Sequence, residues 1–290
     1  MPSFKKFLLA PIFLLSFVLF LSQLSSIFKT YDFIFSISIN ALIPIIIVSV
    51  SLIFVSFSFA LFYSLAQDWR IGLPVSLIAS FTPLFFFDST TAIILGIGSL
   101  IGFILTFFSL DNTLKTYVEF RPTFLLSPAI RHLSTLLIVI ICSLYYISIN
   151  SIIQLNGFQI PDTLIDAAMQ FTPLEAETEP QSTPLPAALK QLGIDPKILD
   201  SLDTGNLQPA QISSTIIKET LKDQFDQMIK PYFNWIPVLL AILLFFLLQT
   251  INSLLNLLLY PLLWISFYIF EKTGFVKFVI EERPVKKMVV

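Results

Sequence analysis

The sequence predicts an all-α polytopic integral membrane protein: a bundle of about six transmembrane helices with a small extracytoplasmic helical domain between the fifth and the sixth. Three observations carry this class. Hydrophobic residues make up 56% of the 290 and charged residues only 12%, a balance suited to helices solvated by lipid. Several windows reach the ~20 apolar residues that a ~30 Å hydrocarbon core requires without one Asp, Glu, Lys or Arg. The remaining charge is segregated, with eleven of the nineteen acids lying in residues 155–231.

The first span, about 7–28, follows Lys5 and Lys6. Its apolar run is longer than a signal-peptide core and no A-x-A-like site follows, so it is expected to stay as an uncleaved anchor. No charge occurs from Phe33 to Ala66. Pro44 divides that stretch, because proline suits a first helical turn, into an interfacial approach at 33–42 and a second span at 43–66. Gln67, Asp68, Trp69 and Arg70 then form a turn at headgroup depth. A short third span with Pro74 and Pro83 runs over 71–87. Asp88 and Ser89, both N-cap types, introduce a fourth at 90–109.

Residues 111–127 mix Lys115, Glu119 and Arg121 with Leu114, Tyr117 and Phe120, as in a segment lying on the membrane surface. Ser127-Pro128 signals the fifth span, 128–154. Residues 155–231 form the extracytoplasmic domain, with short helices near 162–170, 186–192, 196–202 and 210–230 around the Pro-rich acidic linker 172–186. The sixth span lies within 232–266, bounded by Tyr232 and Trp235 on one side and Tyr260 and Trp264 on the other. A basic tail, 267–290, follows it.

Charge then orients the bundle. With both termini cytoplasmic, inside segments hold eleven of the seventeen bases, short outside loops hold only Lys29, and the acidic region lies outside. This places the protein in the cytoplasmic membrane as a multi-pass protein.

The candidate functional residues form two polar stripes. Gln249, Asn252, Asn256 and Tyr260 share one helical face at about 100° per residue, and Ser143, Tyr146, Asn150 and Gln154 repeat the same spacing on the fifth span. Facing lipid would be costly, so both stripes should turn into the bundle. There they serve either as hydrogen-bonded packing or as one polar seam across the bilayer. Gly98 and Gly102 complete a G-x-x-x-G, expected to let two helices approach closely. Serines 49, 51, 56 and 58 occupy two opposite faces and are expected to bond back to their own helix.

Several chemistries have no residues to support them. One histidine, His132, and one cysteine, Cys142, cannot form a His/Cys metal site within one chain, and no H-E-x-x-H exists. Gly96 and Gly98 are followed by Ser99 rather than by the aspartate of an intramembrane protease. No ionisable residue marks a coupled transport path within the spans. No cofactor is expected, and a net charge of −2 without a basic patch offers nothing to nucleic acid. The expected role is non-catalytic: the extracytoplasmic domain binds or positions a protein partner, and the bundle anchors it in membrane lipid. The alternative is a channel or permease subunit using the uncharged seam.

Overall fold

The computed structural model describes residues 7–27, 39–117, 120–158 and 230–276. Of these, 91% are helical and none is in a strand, so the all-α class holds for the described residues. The expected domain helices, the linker 172–186, residues 33–38 and the tail beyond 276 lie outside them.

Among the described residues seven α-helices follow one another: α1 Ala10–Ile27, α2 Ile39–Ala66, α3 Trp69–Phe81, α4 Ser89–Thr116, α5 Pro122–Asn156, α6 Ile236–Leu255 and α7 Leu259–Lys272. Short 3-10 turns at Thr82–Phe85, Lys230–Trp235 and Asn256–Leu258 extend α3, open α6 and join α6 to α7. Among the described residues four stretches are long and apolar enough to cross a membrane: Leu42–Ala66, Ser89–Thr116, Pro122–Leu155 and Pro231–Lys272. Ala10–Ser25 and Trp69–Phe85 are apolar but shorter. The chain divides into two units, Met1–Ile152 with Pro237–Val290 and Ile153–Ile236, and the packing described below belongs to the first.

That packing centres on phenylalanine. Phe13 and Phe17 of α1, Phe59 of α2 and Phe103 of α4 are all fully buried. Ring centroids lie 5.3 Å apart for Phe13 and Phe59, 5.3 Å for Phe13 and Phe103, and 5.1 Å for Phe59 and Phe103. The α1 face that supplies them, Phe13, Phe17, Phe20 and Leu24, recurs at i, i+4, i+7 and i+11, a single helical stripe. α1 packs along α2, and Ser16 and Ser58 share a 2.8 Å hydrogen bond across the pair. Ser58 also bonds back to Phe54 and Val55, Ser56 to Leu52 and Ser51 to Val48, as expected; Ser49 departs from the expectation, its buried hydroxyl having no such bond among the described residues.

Proline accounts for most differences from the expected boundaries. Pro44 lies inside α2, which already begins at Ile39, so at least four residues of the expected interfacial approach are helical. The surface segment expected at 111–127 is mostly helix as well: α4 runs on to Thr116 and α5 starts at Pro122. Pro122 takes the first-turn place, where its missing N–H costs nothing, and the amides of Phe124 and Leu125 both bond to the Arg121 carbonyl at 3.0 Å. Pro128 therefore falls inside α5 and does not begin it; only the Phe124 carbonyl loses its i+4 donor. The 3-10 turn at Asn256–Leu258 falls inside the expected sixth span; the backbone stays right-handed through it, and α7 carries the helix past residue 266 to Lys272. Pro83 ends α3 more firmly, since Thr82 already starts the 3-10 turn.

α3 and α4 form the expected hairpin. Asp68 caps α3, its carboxylate accepting from the Arg70 amide at 3.0 Å. Asp88 stands at the N-cap of α4, where its backbone carbonyl receives the Ala92 amide and its carboxylate accepts from the Thr91 hydroxyl rather than from an amide. The backbones of the hairpin approach closely at Gly96, where an added Cβ would stand 2.5 Å from the Ser80 carbonyl oxygen. Gly98 and Gly102 of the G-x-x-x-G face α5 instead: a Cβ at Gly98 would meet Ile140 at 3.1 Å, and one at Gly102 would meet Leu133 at an ordinary 3.8 Å. Gly96→Val is thus expected to destabilise the protein by about 1–3 kcal/mol through overpacking against rigid backbone. Gly102→Ala is expected to leave stability within about 0.5 kcal/mol. Thermal melting of the two purified variants in detergent measures the contrast.

Candidate functional site

The two polar stripes lie on α5 and on α6 with its following turn. Asn252 is 1% exposed, and its Nδ2 donates to Ser134 Oγ of α5 at 3.1 Å. Ser134 Oγ in turn donates to the Arg131 carbonyl at 3.0 Å, so the hydroxyl has only acceptor capacity left and the amide must present its NH2. One turn on, Asn256 is 6% exposed within the 3-10 segment, and one turn back Gln249 is half-buried. Tyr260 lies at the surface with the Arg131 guanidinium 6.0 Å from its ring centroid, a cation-π contact between α7 and α5.

These side chains share an electrostatic feature. The carbonyl oxygens Oε1 of Gln249, Oδ1 of Asn252 and Oδ1 of Asn256 are buried with no hydrogen-bond donor among the described residues. Each such acceptor costs roughly 1–3 kcal/mol in an apolar surrounding until a donor meets it. An i, i+3, i+7 row of acceptors can take hydrogen bonds from water, from hydroxyl-bearing solutes or from another helix. Neutral amides cannot carry a proton.

The α5 stripe is placed differently. Ser143 is exposed and spends its hydroxyl on the Val139 carbonyl at 2.8 Å. Tyr146 and Gln154 are exposed and Asn150 is half-buried. Ser143 and Tyr146, with Cys142, line a groove of about 520 Å³ whose other wall is Val238, Ala241, Ile242 and Phe245 of α6. That wall is apolar and belongs to the first half of α6, while the amides occupy its second half and the turn after it. Among the described residues no hydrogen bond joins the two stripes.

Sequence reasoning missed Ser134, the residue that Asn252 reaches. A signal was present: Ser127 and Ser134 stand seven apart, two turns on one face, and both are buried. It also missed the Tyr63 hydroxyl, bonded to Ser76 of α3 at 2.9 Å. The buried polar side chains among those described are uncharged: serine, threonine and asparagine, with the hydroxyls of Tyr63 and Tyr145.

Comparison with family models, with curated proteins and with solved structures finds no match to this chain. The side chains themselves carry the functional reading.

The Asn252–Ser134 bond should be worth about 0.6 kcal/mol in a double-mutant cycle of Asn252→Leu and Ser134→Ala, as hydrogen bonds between membrane helices typically are. Unfolding from mixed micelles by denaturing detergent gives the four stabilities required. A coupling near zero would leave Asn252 without a packing role.

Proposed function

We propose that the protein is a non-catalytic membrane anchor and scaffold whose segment 155–231, on the extracytoplasmic side, engages a protein partner. One observation carries the reading: the buried polar groups described in the bundle are uncharged and largely committed to helix backbone or to a neighbouring helix. Charge is concentrated instead in residues 155–231, with eleven acids and five bases. Such a segment offers an acidic surface to a partner, and its two ends continue into α5 and α6. The orientation rests on the bases of the short segments, which favour the cytoplasmic side for both termini.

Deleting residues 161–227 is expected to abolish in-cell crosslinking to protein partners while leaving the melting temperature of the purified bundle within a few degrees. Crosslinks that all persist after the deletion would overturn the proposal.

The donorless oxygens of Gln249, Asn252 and Asn256 favour a second reading, a permease or channel subunit that passes a neutral hydroxylated solute along α6. In that case Gln249→Leu with Asn252→Leu abolishes solute flux into proteoliposomes without unfolding the protein. Unchanged flux would exclude α6 as the path.

A further inference from the structure

The turn between α2 and α3 and the last turns of α4 enclose a half-open cavity of about 470 Å³, within the ~300–1,000 Å³ range of small-ligand sites. Its inner wall is apolar and aromatic: Tyr63, Leu73, Ile104 and Phe107. Its rim is charged, with Asp68 on one side and Asp111 and Lys115 on the other. Trp69, 58% exposed, stands at the mouth, and Phe108, 62% exposed, continues the apolar wall outward. A ring of charge with a tryptophan above an apolar wall is the composition found where a helix bundle leaves hydrocarbon for headgroups.

The wall is held before any ligand arrives. The Tyr63 hydroxyl is bonded to Ser76 at 2.9 Å, its ring packs 5.0 Å from that of Phe107, and Gly72 leaves it room, since a Cβ there would overlap the ring. Gln67 takes a left-handed backbone, φ 45°, to turn the chain, and Asp68 is fixed by capping α3. Lys115 pairs with Asp111 one turn away on the same helix, but its side chain is 74% exposed. Exposed i, i+4 pairs of this kind hold by only about 0.3–0.5 kcal/mol, so both partners can turn to a ligand at small cost.

We propose that this cavity binds a zwitterionic phospholipid, with the ammonium between Asp68 and Asp111, the phosphate at Lys115 and the upper acyl chain along Leu73, Phe107 and Phe108. The rim holds two carboxylates and one amine. An anionic lipid would set its phosphate among two carboxylates with a single counter-charge, and a purely cationic amphiphile would face Lys115. Only a head with both charges satisfies both sides. The apolar wall requires an acyl chain, so a soluble headgroup alone does not fill the site.

The test is native mass spectrometry of the full chain in detergent, supplied in turn with dioleoyl phosphatidylethanolamine, phosphatidylcholine and phosphatidylglycerol. The two zwitterionic lipids should bind about tenfold more tightly than phosphatidylglycerol, a difference of about 1.4 kcal/mol. Asp68→Asn keeps the helix cap while removing the charge. Combined with Asp111→Asn it should erase that preference, and Lys115→Gln, at an exposed side chain, should weaken zwitterionic binding several-fold. Asp88→Asn, at the opposite end of α4, should change neither. Melting temperatures equal to that of the unaltered protein confirm that each variant is folded. The proposal is overturned if phosphatidylglycerol binds as tightly as the zwitterionic lipids, if the folded double variant keeps the preference, or if soluble phosphoethanolamine displaces the lipid at equal concentration.

Discussion

Inside a bilayer, helices gain little from hiding apolar surface from one another, because lipid tails are as apolar as leucine; close packing has to hold them together. The aromatic cluster where α1, α2 and α4 meet answers that constraint. Phe13, Phe17, Phe59 and Phe103 touch edge to face and offset, geometries in which aromatic rings attract beyond simple contact. Neighbouring features extend the same packing. Tyr63, 4.5 Å from Phe59, carries it to α3 through Ser76, and the Ser16–Ser58 bond joins α1 to α2 at the residues just before Phe17 and Phe59. Gly96 then brings α4 onto the backbone of α3.

Cohesion is uneven among the long stretches. In the most apolar windows, α2 is 67% buried, α4 39% and α5 44%, whereas the Pro231–Lys272 stretch is only 22% buried. α6 and α7 bury one apolar edge, Leu240, Leu244, Leu248, Leu259 and Leu263, and leave the opposite flank exposed. Directional contacts are added to that edge: Asn252 with Ser134, Tyr260 with Arg131, and Phe267 with Phe120 at 5.3 Å between centroids. The leucine edge supplies the packing, and the polar and aromatic contacts fix its register.

Class and approximate helix placement were legible because they depend on composition and on length against membrane thickness, quantities that tertiary contacts do not alter. Boundaries at proline were less so. Pro122 and Pro128 both satisfy the rule for a first helical turn, and only the neighbouring amides, which bond to Arg121, decide between them. The amide stripe of α6 was legible as a face, and Asn252 and Asn256 are indeed buried. Spacing could not say which α5 residue would meet it, because the period fixes a side chain's direction on its own helix and not the rotation of the helix opposite; Ser134 stands there, while Ser143 bonds to its own backbone. Gly96 was hidden for the same reason, and the phenylalanine cluster because thirty-one phenylalanines give no local contrast. The cavity beside Asp68 joins residues more than forty positions apart, which no window along the chain can relate.

The 3-10 ending of α3 has a mechanical consequence. Thirteen α-helical residues followed by four in the narrower helix reach about 27–28 Å, some 2 Å further than a regular helix of the same seventeen residues. α1, with 18 residues, reaches about 27 Å. Both fall short of a ~30 Å hydrocarbon core, while α5 with 35 residues exceeds it by about 20 Å. Each short helix packs against a longer one, α1 against α2 and α3 against α4, so the surrounding lipid meets helices of different reach side by side, at fractions of a kcal/mol for every ångström of mismatch. In a membrane of mixed acyl lengths, the lipid beside α1 and α3 would be drawn from the shorter chains.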